Sequence, residues 1–159
     1  MPAQSTGRRI RALQRAADFQ RALALSPRSR STHFAVHHAA ARPSLPARAA
    51  TKPEAAMLST GHARDLSAPV DDFAFGHWLG TVVPKRHARR SVTRNLLKRQ
   101  MRQVMEGLCA RLDPGLWVLR LRAPFDPRAF RSAASEALRV AARTELTQLM
   151  QRLAPGAAQ

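Results

Sequence analysis

Between positions 85 and 102 the chain reads Lys85-Arg86-His87-Ala88-Arg89-Arg90-Ser91-Val92-Thr93-Arg94-Asn95-Leu96-Leu97-Lys98-Arg99-Gln100-Met101-Arg102, eight Lys or Arg in eighteen residues and no acid. Arg94, Lys98 and Arg102 recur every four residues, so on a helix they share one face, with Asn95 and Arg99 beside them. Like charges at this spacing repel and slightly destabilise a helix, and three in succession suit a surface presented to something negative. The cation pairs Lys85-Arg86 and Arg89-Arg90 precede that face. The chemistry on offer is an electrostatic grip on a polyanion, in which each neutralised phosphate releases a counterion.

Other chemistry is harder to assemble. Asp113 and Asp126 read as turn and cap residues, and Glu106, Glu136 and Glu145 lie among arginines on helical stretches as solvated partners. Asp71-Asp72 is an adjacent pair in a stretch without pattern. A two-metal nuclease site needs several carboxylates converging on ions about 3.5–4 Å apart, and no such cluster can be drawn from these acids. The six histidines show no metal-ligand spacing, and Cys109 is the single cysteine, which excludes internal disulfides and cysteine-built zinc sites. At a spacing that suits the inner face of a helix, Cys109 reads as a small core residue. The seven glycines are scattered and give neither a Walker nor a dinucleotide loop. No catalytic residue and no metal ligand is assigned to this chain.

The charge balance agrees. Twenty-seven Lys or Arg against ten Asp or Glu leave a formal charge of +17 over 159 residues, a statement about partners rather than fold. Phosphate polymers are the natural partner and an anionic membrane surface the rival. No apolar run approaches the roughly 18 residues of a membrane span. No apolar stretch follows Arg8-Arg9, so a secretory or twin-arginine signal is not expected. The expected location is the cytoplasm.

The elements that must position the basic segment follow from periodicity. Phe19, Ala22 and Leu23 form an apolar stripe that predicts a helix over 16–25, stopped by Ser26-Pro27. Thr32 to Ala39 predicts a strand, with Phe34 and Val36 opposite Ala35 and His37. From Ala40 to Asp72 the Pro-punctuated, Ala/Ser/Arg-rich stretch predicts a disordered insertion, with a small helix over 53–59 as the alternative. Phe75 to Val83 reads as a returning strand. Ser91 to Arg111 reads as a helix whose Leu97, Met101, Val104 and Leu108 face the core. Leu116 to Arg122 is a strand after the turn Asp113-Pro114-Gly115. Asp126 with Pro127 predicts the start of a last helix running to Leu153, its stripe supplied by Phe130, Ala134, Ala137, Leu138, Ala141, Leu149 and Leu153. The expected organisation is a mobile N-terminus 1–9, one RNA-binding domain 10–153 interrupted by the insertion 40–72, and a tail 154–159. The order helix, strand, strand, helix, strand, helix predicts an α+β sandwich on one small sheet. Single-stranded RNA is gripped by a basic groove with stacking side chains. Phe19 and His37 are the candidates for stacking, with core packing the alternative for Phe19.

In this setting the segment resembles the signature of the bacterial ribonuclease P protein family. That pattern has paired cations, two basic residues three and four positions on, then Arg-Asn-Arg, Lys-Arg and a further Arg. Lys85-Arg86, Arg89-Arg90, Arg94-Asn95, Lys98-Arg99 and Arg102 match it in register. Asp18-Phe19-Gln20 is similar to the family's first helix and Phe34-Ala35-Val36-His37 to its first long strand. The resemblance covers roughly residues 8–38 and 76–150. Leu96 stands where the pattern has its third Arg-Asn-Arg member, His37 where an aromatic is frequent, Leu23 for a second helix aromatic and Trp78 for a strand cation.

The resemblance implies an α-β sandwich with a left-handed βαβ crossover. It implies a protein that binds a large catalytic RNA and assists it, with magnesium held mainly through the RNA, in removing the 5′ leader of precursor tRNA. By position, Phe19, Ala35, His37 and Lys85 would line the leader cleft. Arg89, Arg90, Arg94, Asn95, Lys98, Arg99 and Arg102 would face the catalytic RNA. Its expected partners are that RNA and precursor tRNA, with no membrane and no obligate protein partner. The alternatives are a general RNA-binding protein of ribosomal type without a processing role, a membrane-surface protein and, disfavoured by the scarce acids, a protein-only nuclease.

Overall fold

The computed structural model describes residues 10–44 and 76–154. Its elements in chain order are β1 (Ile10–Ala12), α1 (Ala16–Ala24), β2 (Ser29–Arg30), β3 (Phe34–Ala39), β4 (His77–Val82), α2 (Ser91–Leu108), a 3-10 turn (Cys109–Arg111), β5 (Gly115–Leu121) and α3 (Glu136–Gln151). The strands form one sheet in the order β1-β4-β5-β3-β2. β4 runs parallel to β1 and to β5, and β3 runs antiparallel to β5 and β2. β4, α2 and β5 therefore make the βαβ unit that the resemblance implies. The α+β class expected from the element order is the one found.

Alternation along the strands sorts side chains to two faces. Phe34, Val36, Leu79, Trp117, Leu119 and Leu121 pack with Leu97, Met101, Val104 and Met105 of α2 and Ala142, Leu146, Leu149 and Met150 of α3. On the other face Ala39, Trp78, Leu116 and Val118 pack with Leu13 and Ala22, and Phe19 and Leu23 of α1 lie against them. Gly115 opens β5 at φ 135°, a left-handed conformation in which its N–H reaches the Gly76 carbonyl at 3.0 Å. A side chain there would strike the Ala39 carbonyl.

Four expectations change. The last helix starts at Glu136 with Ser135 as its cap, the Ser135 hydroxyl accepting the Leu138 N–H at 3.1 Å. Asp126 instead closes a local turn by accepting the Arg128 N–H at 2.8 Å. Phe130 and Ala134 thus precede the helix, Ala137 is exposed, and Leu146 and Met150 complete its buried stripe. The strands β1 and β2 were absent from the expected order; at three and two residues they are too short to show alternation and exist through pairing. Residues 40–44, expected to begin the insertion, are anchored: the Ser44 N–H and hydroxyl both bond Asp18, at 2.9 and 2.5 Å to the same oxygen. The remainder of the insertion and both chain ends lie outside the described residues. Finally, Glu145 is not a solvated partner of arginines. It accepts the Ser31 hydroxyl at 2.5 Å and the His33 N–H and ring Nδ1–H at 2.7 Å each, tying α3 to the β2–β3 turn.

Among the described residues no helix is long and apolar enough to cross a membrane.

Candidate RNA interface

The basic segment hangs on the end of β4. Pro84 ends the strand, and its carbonyl accepts the N–H groups of His87 and Ala88 at 3.0 and 3.1 Å, turning the chain. Ala88 then plugs into the main core. Arg94, one turn into α2, donates from Nη1 to the carbonyls of Ala88 (3.1 Å) and Arg89 (2.7 Å). Thr93 donates to the Ala133 carbonyl at 2.8 Å, which fixes the start of α2 to the segment before α3. The loop and helix are thus one rigid unit, on which Lys85, Arg89, Arg90, Asn95, Arg99 and Arg102 are exposed and Lys98 is half-buried. Arg94 spends part of its donor set on the loop, so it is a brace as well as a charge.

Electrostatically the unit is one-sided. The first turn of α2 contains no acid and its cap residue, Arg90, offers no side-chain acceptor, so the positive end of the helix dipole adds to the arginines there. Burial, then the charges of Arg86 and Arg120, hold the His87 imidazole below its usual range. Its Nε2 accepts the Arg86 Nε–H at 3.2 Å. α2 divides the cations between its flanks. Asn95 and Arg99 line a depression of about 460 Å³ shared with Gln103, Arg139 and Arg143. Leu96, in place of a further arginine, packs against the main core.

The second group of expected residues lies across the sheet, on the α1 face. Phe19 is half-buried, its ring seated on Gly80, where any side chain would collide with it. His37 is 7% exposed and its Nδ1–H donates to the Leu25 carbonyl at 3.0 Å, closing the C-terminal end of α1 onto the sheet. Ala35 is buried beside it on the same face, and Lys85 is exposed beyond the end of β4. Asp18, buried in the first turn of α1 at its other end, is pushed up by burial, but Ser44 and Arg21 outweigh that and hold its carboxyl below the usual range.

The structure therefore brings Arg89, Arg90, Arg94, Asn95, Lys98, Arg99 and Arg102 onto one loop-helix unit, and Phe19, Ala35 and His37 onto the opposite face of the sheet. Lys85 lies at the end where the two meet. Sequence reasoning missed Arg120 and Arg30, which share the α1 face with Ala35. The alternation Leu116, Val118, Arg120 was its available signal. It also missed Arg139 and Arg143, which depend on how α3 meets α2. Among the described residues no three His, Cys, Asp or Glu side chains come together that could hold a metal ion.

An α-β sandwich with a basic loop-helix on the end of its central parallel strands is a defined class of small protein. A model of the ribonuclease P family matches residues 8–152, and the chain belongs to that family. It is 41% identical over 76 residues to the ribonuclease P protein component of Burkholderia pseudomallei, covering 48% of this chain and 56% of the relative. The corresponding protein of Bordetella parapertussis is 37% identical over 87 residues, covering 55% of this chain and 67% of the relative. The chain thus spans little more than half the length of the Burkholderia relative it matches. The structure of Staphylococcus aureus RNase P protein at 2.0 Å superposes with a TM-score of 0.51 at 15% identity, covering 89% of this chain and 93% of that one, and shares the fold.

Proposed function

We propose that this chain is the protein subunit of ribonuclease P, an endoribonuclease, and assists a catalytic RNA in removing the 5′ leader of precursor tRNA in the cytoplasm. The observation that carries this reading is the rigid basic unit Lys85–Arg102 on a chain of that family. Its arginines would lie along the phosphates of the catalytic RNA, while Phe19, Ala35, His37 and Lys85 would hold the leader. Magnesium would be bound by RNA phosphates, and the protein would favour that binding by screening phosphate repulsion around the ion. Chemistry would belong to the RNA.

The test is cleavage of a 5′-extended precursor tRNA by a bacterial ribonuclease P RNA at low magnesium, with and without this chain. Cleavage at the mature 5′ end that needs both supports the reading. Tight RNA binding without stimulation would move it to a general RNA-binding protein, and cleavage by the protein alone would overturn it. A second measurement locates the grip. Replacing Arg94, Lys98 and Arg102 together by Ala is expected to weaken binding to the catalytic RNA. It should also make the salt dependence shallower by about 0.7–0.9 in log–log slope per lost contact. An unchanged slope would remove these residues from the interface.

A further inference from the structure

Register places two arginines in one row on the α1 face. Arg30 pairs with Ala35, Ala35 with Arg120, and Arg120 with Val82, so the four lie side by side across β2, β3, β5 and β4 and project to one face. Arg120 alternates with Leu119 and Leu121, both buried in the core under α2 and α3. Arg30 precedes Ser31, which reaches Glu145 on α3. Both arginines therefore point to the other side, where α1 lies. The neighbouring row, His37, Val118 and Gly80, is closed by the Leu25 carbonyl and the Phe19 ring. The arginine row is one step further, toward the loop that carries Lys85.

Neither arginine has a carboxylate within ion-pair distance among the described residues. The Nε of Arg120 is shut off from solvent without a hydrogen-bond partner, while its charge is felt at His87. A guanidinium held half-buried with no carboxylate is unfavourable alone and is relieved by an arriving anion. Arg30 and Arg120 are rooted two strand spacings apart, roughly 10 Å. Two long side chains at that separation can grip separate phosphates of one strand.

We propose that Arg30 and Arg120 form a phosphate track for single-stranded RNA, extending the grip on the leader from Phe19 toward Lys85. This rests on the leader-binding reading above, and two assays on the full chain separate the two ideas. In the first, the chain alone binds a short fluorescent single-stranded RNA over a salt series, as wild type, R120M, R30M and, as a control at the C-terminal end of α3, R152M. R120M and R30M should each lose about tenfold in affinity and about 0.7 in log–log salt slope, and R152M less. One neutral methylphosphonate linkage, moved along the RNA, should weaken the wild type at a defined position and leave R120M indifferent there. Equal losses for R152M, or the same methylphosphonate penalty in R120M, would overturn the track. Arg30 is exposed, so R30M keeps the test decisive should R120M unfold.

In the second assay the holoenzyme is reassembled and its preference for precursor over mature tRNA is measured. R120M should lower that preference about tenfold while leaving mature tRNA binding unchanged. A wild-type preference untouched by either substitution would sink the track alone. A track present in the first assay, with no wild-type leader preference in the second, would sink the leader reading and leave the track standing.

Discussion

On one side of the sheet Trp117, Leu119 and Leu121 lie fully buried with Phe34 and Val36 beneath two helices. On the other, Leu116 and Val118 lie beneath the nine residues of α1, and the next residue of that alternation is an arginine. The thick face holds most of the large apolar side chains and so most of the stability. The thin face has only enough apolar surface to seat one short helix, and leaves a strip of sheet beside it for something else. The difference shows how one small sheet can carry a core and still leave room for the proposed binding surface. Residue alternation assigns each strand to both tasks, and helix length decides how much of the second face stays open.

Breaking the thick face should cost most. Trp117→Ala removes a fully buried ring whose Nε1–H also bonds the Asp113 carbonyl at 2.9 Å, and about 3–5 kcal/mol of stability is expected to go. Urea unfolding checks this, with Val118→Ala, the adjacent residue facing α1, expected to lose less. If the two lost equally, the division between faces would be wrong. On the thin face, Gly80→Ala drives a methyl into the Phe19 ring and is expected to cost about 1–3 kcal/mol. Because the strain falls on Phe19, precursor preference should fall more than binding to the catalytic RNA, as paired titrations would show.

Glu145→Gln tests the knot between α3 and the β2–β3 turn, with an expected loss of about 1–2 kcal/mol at neutral pH. Burial raises the Glu145 pKa, but the Ser31 hydroxyl and both His33 donors lower it further, so the net value is below the usual 4.5. A depressed carboxylate stabilises the fold above its unfolded-state pKa and loses that contribution as pH falls through the folded-state value. Thermal melts of wild type and variant should therefore converge in acid below 4.5, and a gap that widened there would contradict a stabilising role for the carboxylate. The smallest effect is a gain. Gly107 faces open space on α2, and Gly107→Ala should add about 0.5–1 kcal/mol without touching either proposed binding surface.

The basic unit was legible because its signal is local: α2 begins at Ser91, as its spacing predicts, and Leu97, Met101 and Val104 are buried as expected. What failed was set by contacts distant in sequence. Asp126-Pro127 carries the signature of a helix start, yet the same atoms satisfy a turn, and Ser135 wins because Leu138, Leu146 and Leu149 behind it are buried. His37 could be placed on a face but not known to be closed by a carbonyl twelve residues earlier. Arg120 could be placed on the face of Leu116 and Val118, but the burial of its Nε without a partner among the described residues arises only because β5 lies between two neighbours. Glu145 could not be paired from sequence with a turn more than a hundred residues away.

The Ser44–Asp18 clamp has a consequence for how this protein can vary. Ala39 pairs with Leu116, and Gly76 meets Gly115, so both roots of the long connection between β3 and β4 lie where β5 begins. The cations on the Pro84–Arg90 loop and the row of Arg120 lie where β5 ends. Both roots are held at the pole away from those charges, so any change in the number of residues between them starts and ends there. Length variation among natural sequences should collect at that pole, leaving the opposite one free to stay fixed while the chain drifts in size.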